Sequence, residues 1–223
     1  MTLAEAFRTP RAYTWPASSR VALHAFTYLF PISVLAAAVL QPWEDPKLLF
    51  FDVIVSAEVA RECCSVAYGF VSQLGILVWT TTAASCLFGG LVMAMNGSSK
   101  DLFSFAITAG LLTGWLGIDD AFLLHEKVFP AVGIPQFVVL IVYCLTTLLY
   151  LIASWKILVR SDLVLLAAAG SAFVASVAID VVLKTPNWVV LEDSFKFFGI
   201  CCWASFHIST MLRLMTIEKT RHE

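Results

Sequence analysis

Apolar residues in this chain run in long blocks rather than in short periodic stripes. The blocks lie at about 21–41, 69–95, 102–128, 136–157, 162–183 and 189–214. Each is roughly 20–27 residues long, the length at which an α-helix crosses the hydrocarbon core of a bilayer. Pro130 and Gly133 close the third block, and Asn96-Gly97-Ser98-Ser99 turns the chain between the second and third. The first block is too long for the apolar segment of a signal peptide and reads as an uncleaved span. The pattern predicts an all-α fold, a polytopic membrane helical bundle with six transmembrane helices.

Segment 42–68 breaks this pattern. Pro42-Trp43-Glu44-Asp45-Pro46 interrupts the chain, and the apolar stretch after it carries Asp52, Glu58, Arg61 and Glu62. Glu58 and Glu62 are four apart and would share one solvated face of a helix. The segment is expected to be one outer interfacial helix rather than a seventh span. The organisation that follows is a cytoplasmic N-terminal segment at 1–20, a six-span bundle at 21–214 and a cytoplasmic tail at 215–223.

Charge supports the six-span count. With six spans, Arg8, Arg11, Arg20, Lys100, Lys156, Arg160, Arg213, Lys219 and Arg221 gather on one side, leaving Lys47, Arg61, Lys127 and Lys184 on the other. The positive-inside rule then puts both termini in the cytoplasm, and the plasma (inner) membrane is the expected location. A seventh span would scramble this split. The Asn96-Gly-Ser sequon falls on the cytoplasmic side and carries no glycan in this reading. Composition agrees: 60% of the residues are hydrophobic and 13% charged, against about 25% charged in a soluble domain. No basic patch or motif suggests nucleic acid. The adjacent pairs Cys63-Cys64 and Cys201-Cys202 lack the C-x-x-C spacing of redox or metal work.

The candidate chemistry sits at the end of the third block, in Gly117-Ile-Asp-Asp-Ala-Phe-Leu-Leu-His-Glu-Lys127. A carboxylate placed in the membrane needs a partner or a function. Helical rise places Asp119, Asp120 and Lys196 roughly 6–8 Å above the bilayer centre, and His125, Glu126, Asp180 and Glu192 roughly 12–17 Å above it. Two layers are therefore expected. In the deeper one, Lys196 and Asp120 form a structural ion pair beside Asp119. The shallower one holds His125, Glu126, Asp180 and Glu192, and Asp119 and Glu126, seven residues apart, share a face of the third helix. Ser72 and Gln73 stand near the same layer. Along the last block, Glu192, Lys196, Gly199, Trp203 and His207 recur at helical spacing and should face the bundle interior. For His207 this implies a hydrogen bond to a neighbouring helix.

One lysine cannot neutralise this many acids, so the surplus must be protonated, bind a cation or face water. Asp119, Asp120, His125, Glu126, Asp180, Glu192 and Asp193 offer oxygen and nitrogen donors of the kind that bind zinc, iron, manganese or calcium. The chain's four histidines, His24, His125, His207 and His222, exclude a histidine-rich desaturase-like centre. The functional expectation is a metal-assisted interfacial enzyme, hydrolytic in type, that acts on a lipid or amphiphile with His125, Glu126 and Glu192 as its catalytic groups. Two alternatives use the same residues: a structural or assembly subunit of a membrane complex, or a proton- or cation-translocating protein. A pathway needs polar groups through both halves of the membrane, and the cytoplasmic halves of the fourth and fifth blocks are almost purely aliphatic. Membrane lipids are the expected partners, with a homo-oligomer or a larger membrane complex as further candidates.

Glu192-x-x-x-Lys196 followed by Gly199 resembles the acid–lysine pair in the last helix of microbial rhodopsins. That resemblance implies seven helices and a retinal-type photoreceptor with Lys196 holding retinal as a Schiff base. It covers only this short stretch. The family's Asp-Trp-x-x-Thr-Thr pattern is absent, and Trp79-Thr80-Thr81-Thr82 is the nearest run to it.

Overall fold

A computed structural model of the chain describes residues 16–63, 65–183 and 186–222. The expectations placed on residues 1–15, Cys64 and Lys184 lie outside them. The described chain is helical, and six of its helices are long and apolar enough to cross a membrane. The molecule is an integral membrane protein. The long helices are α1 (Ala17–Leu40), α4 (Phe70–Met95), α5 (Lys100–Phe122), α6 (Gln136–Ala153), α7 (Leu163–Leu183) and α8 (Val189–His222). The last continues past residue 214, where the tail was expected to start. The resemblance to the seven-helix rhodopsins does not extend to the number of spans.

Segment 42–68 departs from its expectation. It forms two short helices, α2 (Pro46–Phe50) and α3 (Val53–Ala60), not one. Asp45 caps α2 by accepting from the Lys47 N–H, with Pro46 in the first turn. Leu48, Leu49 and Phe50 are buried, the last two against α1 and α8. Ser56 donates its hydroxyl to the Leu48 carbonyl at 2.8 Å and folds α3 back over α2. Helix α3 ends at Ala60 because Arg61 turns left-handed, at φ 57°. Glu62 therefore lies beyond the helix and does not share a face with Glu58, although both are exposed.

Helix α8 is the axis of the bundle. Phe197, Ile200, Cys202, Phe206 and His207 are almost wholly buried on it, packed mainly by α7, α4 and α1. Thr27 of α1 donates its hydroxyl to Ser205 of α8 at 2.8 Å. The closest packing is between α4 and α5, which small residues permit, as in other membrane helix pairs. A Cβ on Gly110 would stand 2.7 Å from Leu87 Cγ, and one on Gly117 would stand 2.9 Å from Trp79 Cβ. The second of these contacts fixes the position of Trp79, which reaches the site described next.

Candidate functional site

The third span ends earlier than its apolar run suggests. Helix α5 stops at Phe122, and Leu123 adopts the left-handed conformation at φ 52°. Leu124–Val128 then forms a single wide π turn. This break overturns the expectation that Asp119 and Glu126 lie on one helical face. The chain doubles back instead, and His125 reaches the aspartate six residues before it. Asp119 Oδ1 accepts from the His125 backbone N–H at 3.0 Å, and Oδ2 lies 2.5 Å from His125 Nδ1. Tyr143 on α6 donates its hydroxyl to Oδ1 at 2.7 Å. Asp119, expected beside Lys196, is thus buried and fully engaged with His125 and Tyr143.

Its neighbour Asp120 points the other way, as a residue 100° further round a helix must. Asp120 Oδ1 pairs with Lys196 Nζ, the ion pair expected from helical depth. Trp79 Nε1 donates to Asp120 Oδ2 at 3.3 Å. One Asp-Asp dipeptide therefore serves two networks, one towards α6 and the π turn, the other towards α8.

Between these networks and α2 lies a cavity of about 740 Å³. Asp120 and Lys196 line it, with Glu126 and Lys127 from the π turn and Glu192 and Asp193 from the start of α8. Asp180 of α7 also lines it and accepts from Gln136 Nε2 of α6 at 3.2 Å. Ser72 lines it and donates its hydroxyl to Asp52 at 2.6 Å. Gln73 is exposed. Among the described residues, no group of three or more His, Cys, Asp or Glu side chains is arranged to hold a metal ion. The seven donors named from the sequence are divided among the Asp119–His125 pair, the Asp120–Lys196 pair and carboxylates spread round the cavity wall.

His125 stands behind Glu126 as seen from the cavity. Its Nε2 lies 3.5 Å from Glu126 Oε1, while Nδ1 is committed to Asp119. Burial opposes the charged imidazolium. The hydrogen bond and charge of Asp119, aided by Glu126, outweigh it, and the His125 pKa stands above its ordinary value. Burial lifts the Glu126 carboxyl above its ordinary value, against the opposing charges of Lys196 and His125. The result is a line of groups, Asp119–His125–Glu126, leading from a buried anchor to a carboxyl at the cavity wall.

A second polar cluster lies deeper and is closed. His207 is fully buried, with Nδ1 2.9 Å from the Trp203 carbonyl and Nε2 2.8 Å from the Tyr150 hydroxyl. A carbonyl only accepts, so Nδ1 carries the proton and Nε2 accepts from Tyr150. Trp203 Nε1 donates to Thr113 at 3.0 Å. Each partner is a neighbouring helix or the same one, which is the bundle-core role expected for His207.

Sequence reasoning missed Trp79, Tyr143 and Gln136 as partners of the acids. Each is a polar group on a helix otherwise read as apolar, and only the packing of one helix on another brings it to its partner. A family model described as a domain of unknown function, DUF8692, matches residues 25–210, and the chain belongs to that family. No curated protein and no solved structure matches the chain.

Proposed function

We propose that the protein is an interfacial hydrolase whose pocket admits an amphiphile and cleaves an ester or amide bond in it. The observation that carries this reading is the line Asp119–His125–Glu126. Asp119 grips His125 through both a ring nitrogen and the backbone N–H, which fixes the ring with Nε2 towards Glu126. Glu126 borders the cavity, and its raised pKa brings a carboxylate closer to the range in which it works as a general base.

In this scheme Glu126 takes a proton from a water molecule, which adds to the carbonyl carbon of the substrate. Lys196, on the cavity wall and paired with Asp120, offers a remaining N–H of its ammonium group to the developing oxyanion. The carbon–oxygen or carbon–nitrogen bond to the leaving group breaks, and the proton held by Glu126 passes to that group. Glu192, which also lines the cavity, would assist the transfer. His125 is a positioning residue that tunes Glu126 and does not itself border the cavity. The excess of basic residues at the opposite end of the bundle supports a pocket that faces away from the cytoplasm, across a plasma membrane.

The test is incubation of the purified full-length protein, in nanodiscs, with a total membrane lipid extract. Hydrolysis products are read by mass spectrometry, with and without a chelator. Wild-type protein should release products that Glu126→Gln forms at least about a hundredfold more slowly. Identical product profiles for the two proteins would overturn the reading. Loss of turnover with the chelator, together with stoichiometric metal by elemental analysis, would assign the carbonyl polarisation to an ion.

A further inference from the structure

Taking the cavity as the substrate pocket of the reading above, we infer that it selects an amphiphile with a cationic, ammonium-type head and takes the apolar tail sideways between α6 and α7. Two independent features of the cavity carry this: the excess of carboxyl groups in its wall and the nature of its side wall.

Asp52, Asp120, Glu126, Asp180, Glu192 and Asp193 line the cavity, opposed by Lys127 and Lys196. Lys196 is already paired with Asp120. The rest of the wall carries five carboxyl groups against Lys127. Its carboxylates come from separate elements: the residue before α3, the π turn, the end of α7 and the start of α8. None of these groupings is tight enough to hold a metal ion among the described residues. A bulky organic cation has the opposite requirement. Its charge is spread over an ammonium and the carbons around it, and it is satisfied by several carboxylates at longer range together with aromatic faces. The aromatic residues Phe51 and Trp188 also line the cavity.

The side wall is apolar and incomplete. Phe137 and Leu140 of α6 and Ile179 and Val181 of α7 line it. Phe137 is 63% exposed and Val181 is 50% exposed, so both border the cavity and the lipid-facing exterior together. Helix α6 packs on α5 and the π turn, whereas α7 packs on α8. The Gln136–Asp180 hydrogen bond joins the start of α6 to the end of α7. A hydrocarbon chain leaving between these helices stays in an apolar medium, while its head remains among the acids.

The experiment titrates octyltrimethylammonium, octanoate and octanol into nanodisc-embedded full-length protein by calorimetry, with empty nanodiscs as the blank. The ammonium should bind saturably and about tenfold or more tighter than either chain-matched competitor. Glu192→Gln combined with Asp193→Asn should remove most of that preference, and Glu58→Gln, at an exposed acid that does not line the cavity, should keep it. Equal binding of the three probes, or a preference for octanoate, would overturn the inference without reference to any mutant. The hydrolytic reading fails separately. Ammonium selectivity without any lipid hydrolysis would leave this inference standing, and equally fast hydrolysis of anionic and neutral amphiphiles would remove it while leaving the enzyme.

Discussion

Nδ1 of His125 lies 2.5 Å from Oδ2 of Asp119, across the left-handed turn at Leu123. This contact makes the π turn part of the site, because the segment has no buried residue of its own to hold it down. Asp119→Asn removes the charge and one of the two acceptors that His125 uses. The His125 pKa should then fall, since burial remains and its main counterweight is gone. Magnetic resonance of ¹⁵N-histidine-labelled protein would read this directly. Wild-type His125 should titrate above its ordinary value and the variant clearly lower, with turnover reduced about tenfold or more. An unchanged titration would separate the two residues.

The same pair makes stability depend on pH with a definite sign. His125 binds its proton more tightly folded than unfolded. Its contribution is therefore fully present below the unfolded value of about 6.5 and is lost as pH rises through the higher folded value. Thermal melts of wild type and His125→Gln should differ most below about pH 6.5 and converge at higher pH. Curves that diverge as pH rises would contradict the assignment.

Much of this arrangement was legible in the chain. Uninterrupted apolar blocks gave the spans because a bilayer demands them, and helical rise brought Asp120 to the depth of Lys196. The spacing of Lys196, Trp203 and His207 marked the interior face of α8, where Trp203 and His207 are indeed buried. The break at Leu123 was not legible. Phe122-Leu123-Leu124 contains neither glycine nor proline, and nothing local requires a left-handed residue there. The tertiary hold of Asp119 on His125 accompanies that turn, and sequence periodicity carries no trace of it. The split of segment 42–68 into two helices has a similar origin, since Phe51 and Asp52 offer no breaker and the fold-back depends on the Ser56 hydroxyl meeting the Leu48 carbonyl.

The α4–α5 contact should be sensitive to single methyl groups in a position-specific way. A Cβ at Gly110 meets Leu87 Cγ at 2.7 Å and the Leu87 backbone nitrogen at 3.1 Å, and the backbone cannot yield as a side chain tip can. A Cβ at Gly114, one turn on, meets only the Ala83 methyl at an ordinary 3.5 Å. Gly110→Ala should cost about 1–3 kcal/mol by overpacking. Gly114→Ala should be neutral or slightly stabilising, because alanine favours the helix. Unfolding of the two variants in mixed micelles would check the difference, and equal effects would argue against the close approach.

The Asp120–Lys196 pair should behave as a coupled unit. Lys196→Met leaves Asp120 with only the Trp79 N–H, in a site where its side chain is 12% exposed. Breaking a fully buried pair costs about 3–5 kcal/mol. The Lys196 side chain is 31% exposed, which leaves room for water and argues for roughly 2–3 kcal/mol here. Asp120→Asn alone keeps an acceptor for Trp79 but strands the lysine, at a similar or smaller cost. The double variant removes both charges, so its loss should be well below the sum of the two single losses, with a coupling of about 1–2 kcal/mol in a double-mutant cycle. The double variant should also lose hydrolysis, because Lys196 is the cation proposed for the oxyanion. A double variant that recovers stability while remaining inactive would separate the structural role of the pair from its chemical one. Additive losses would show that the two charges do not act on one another.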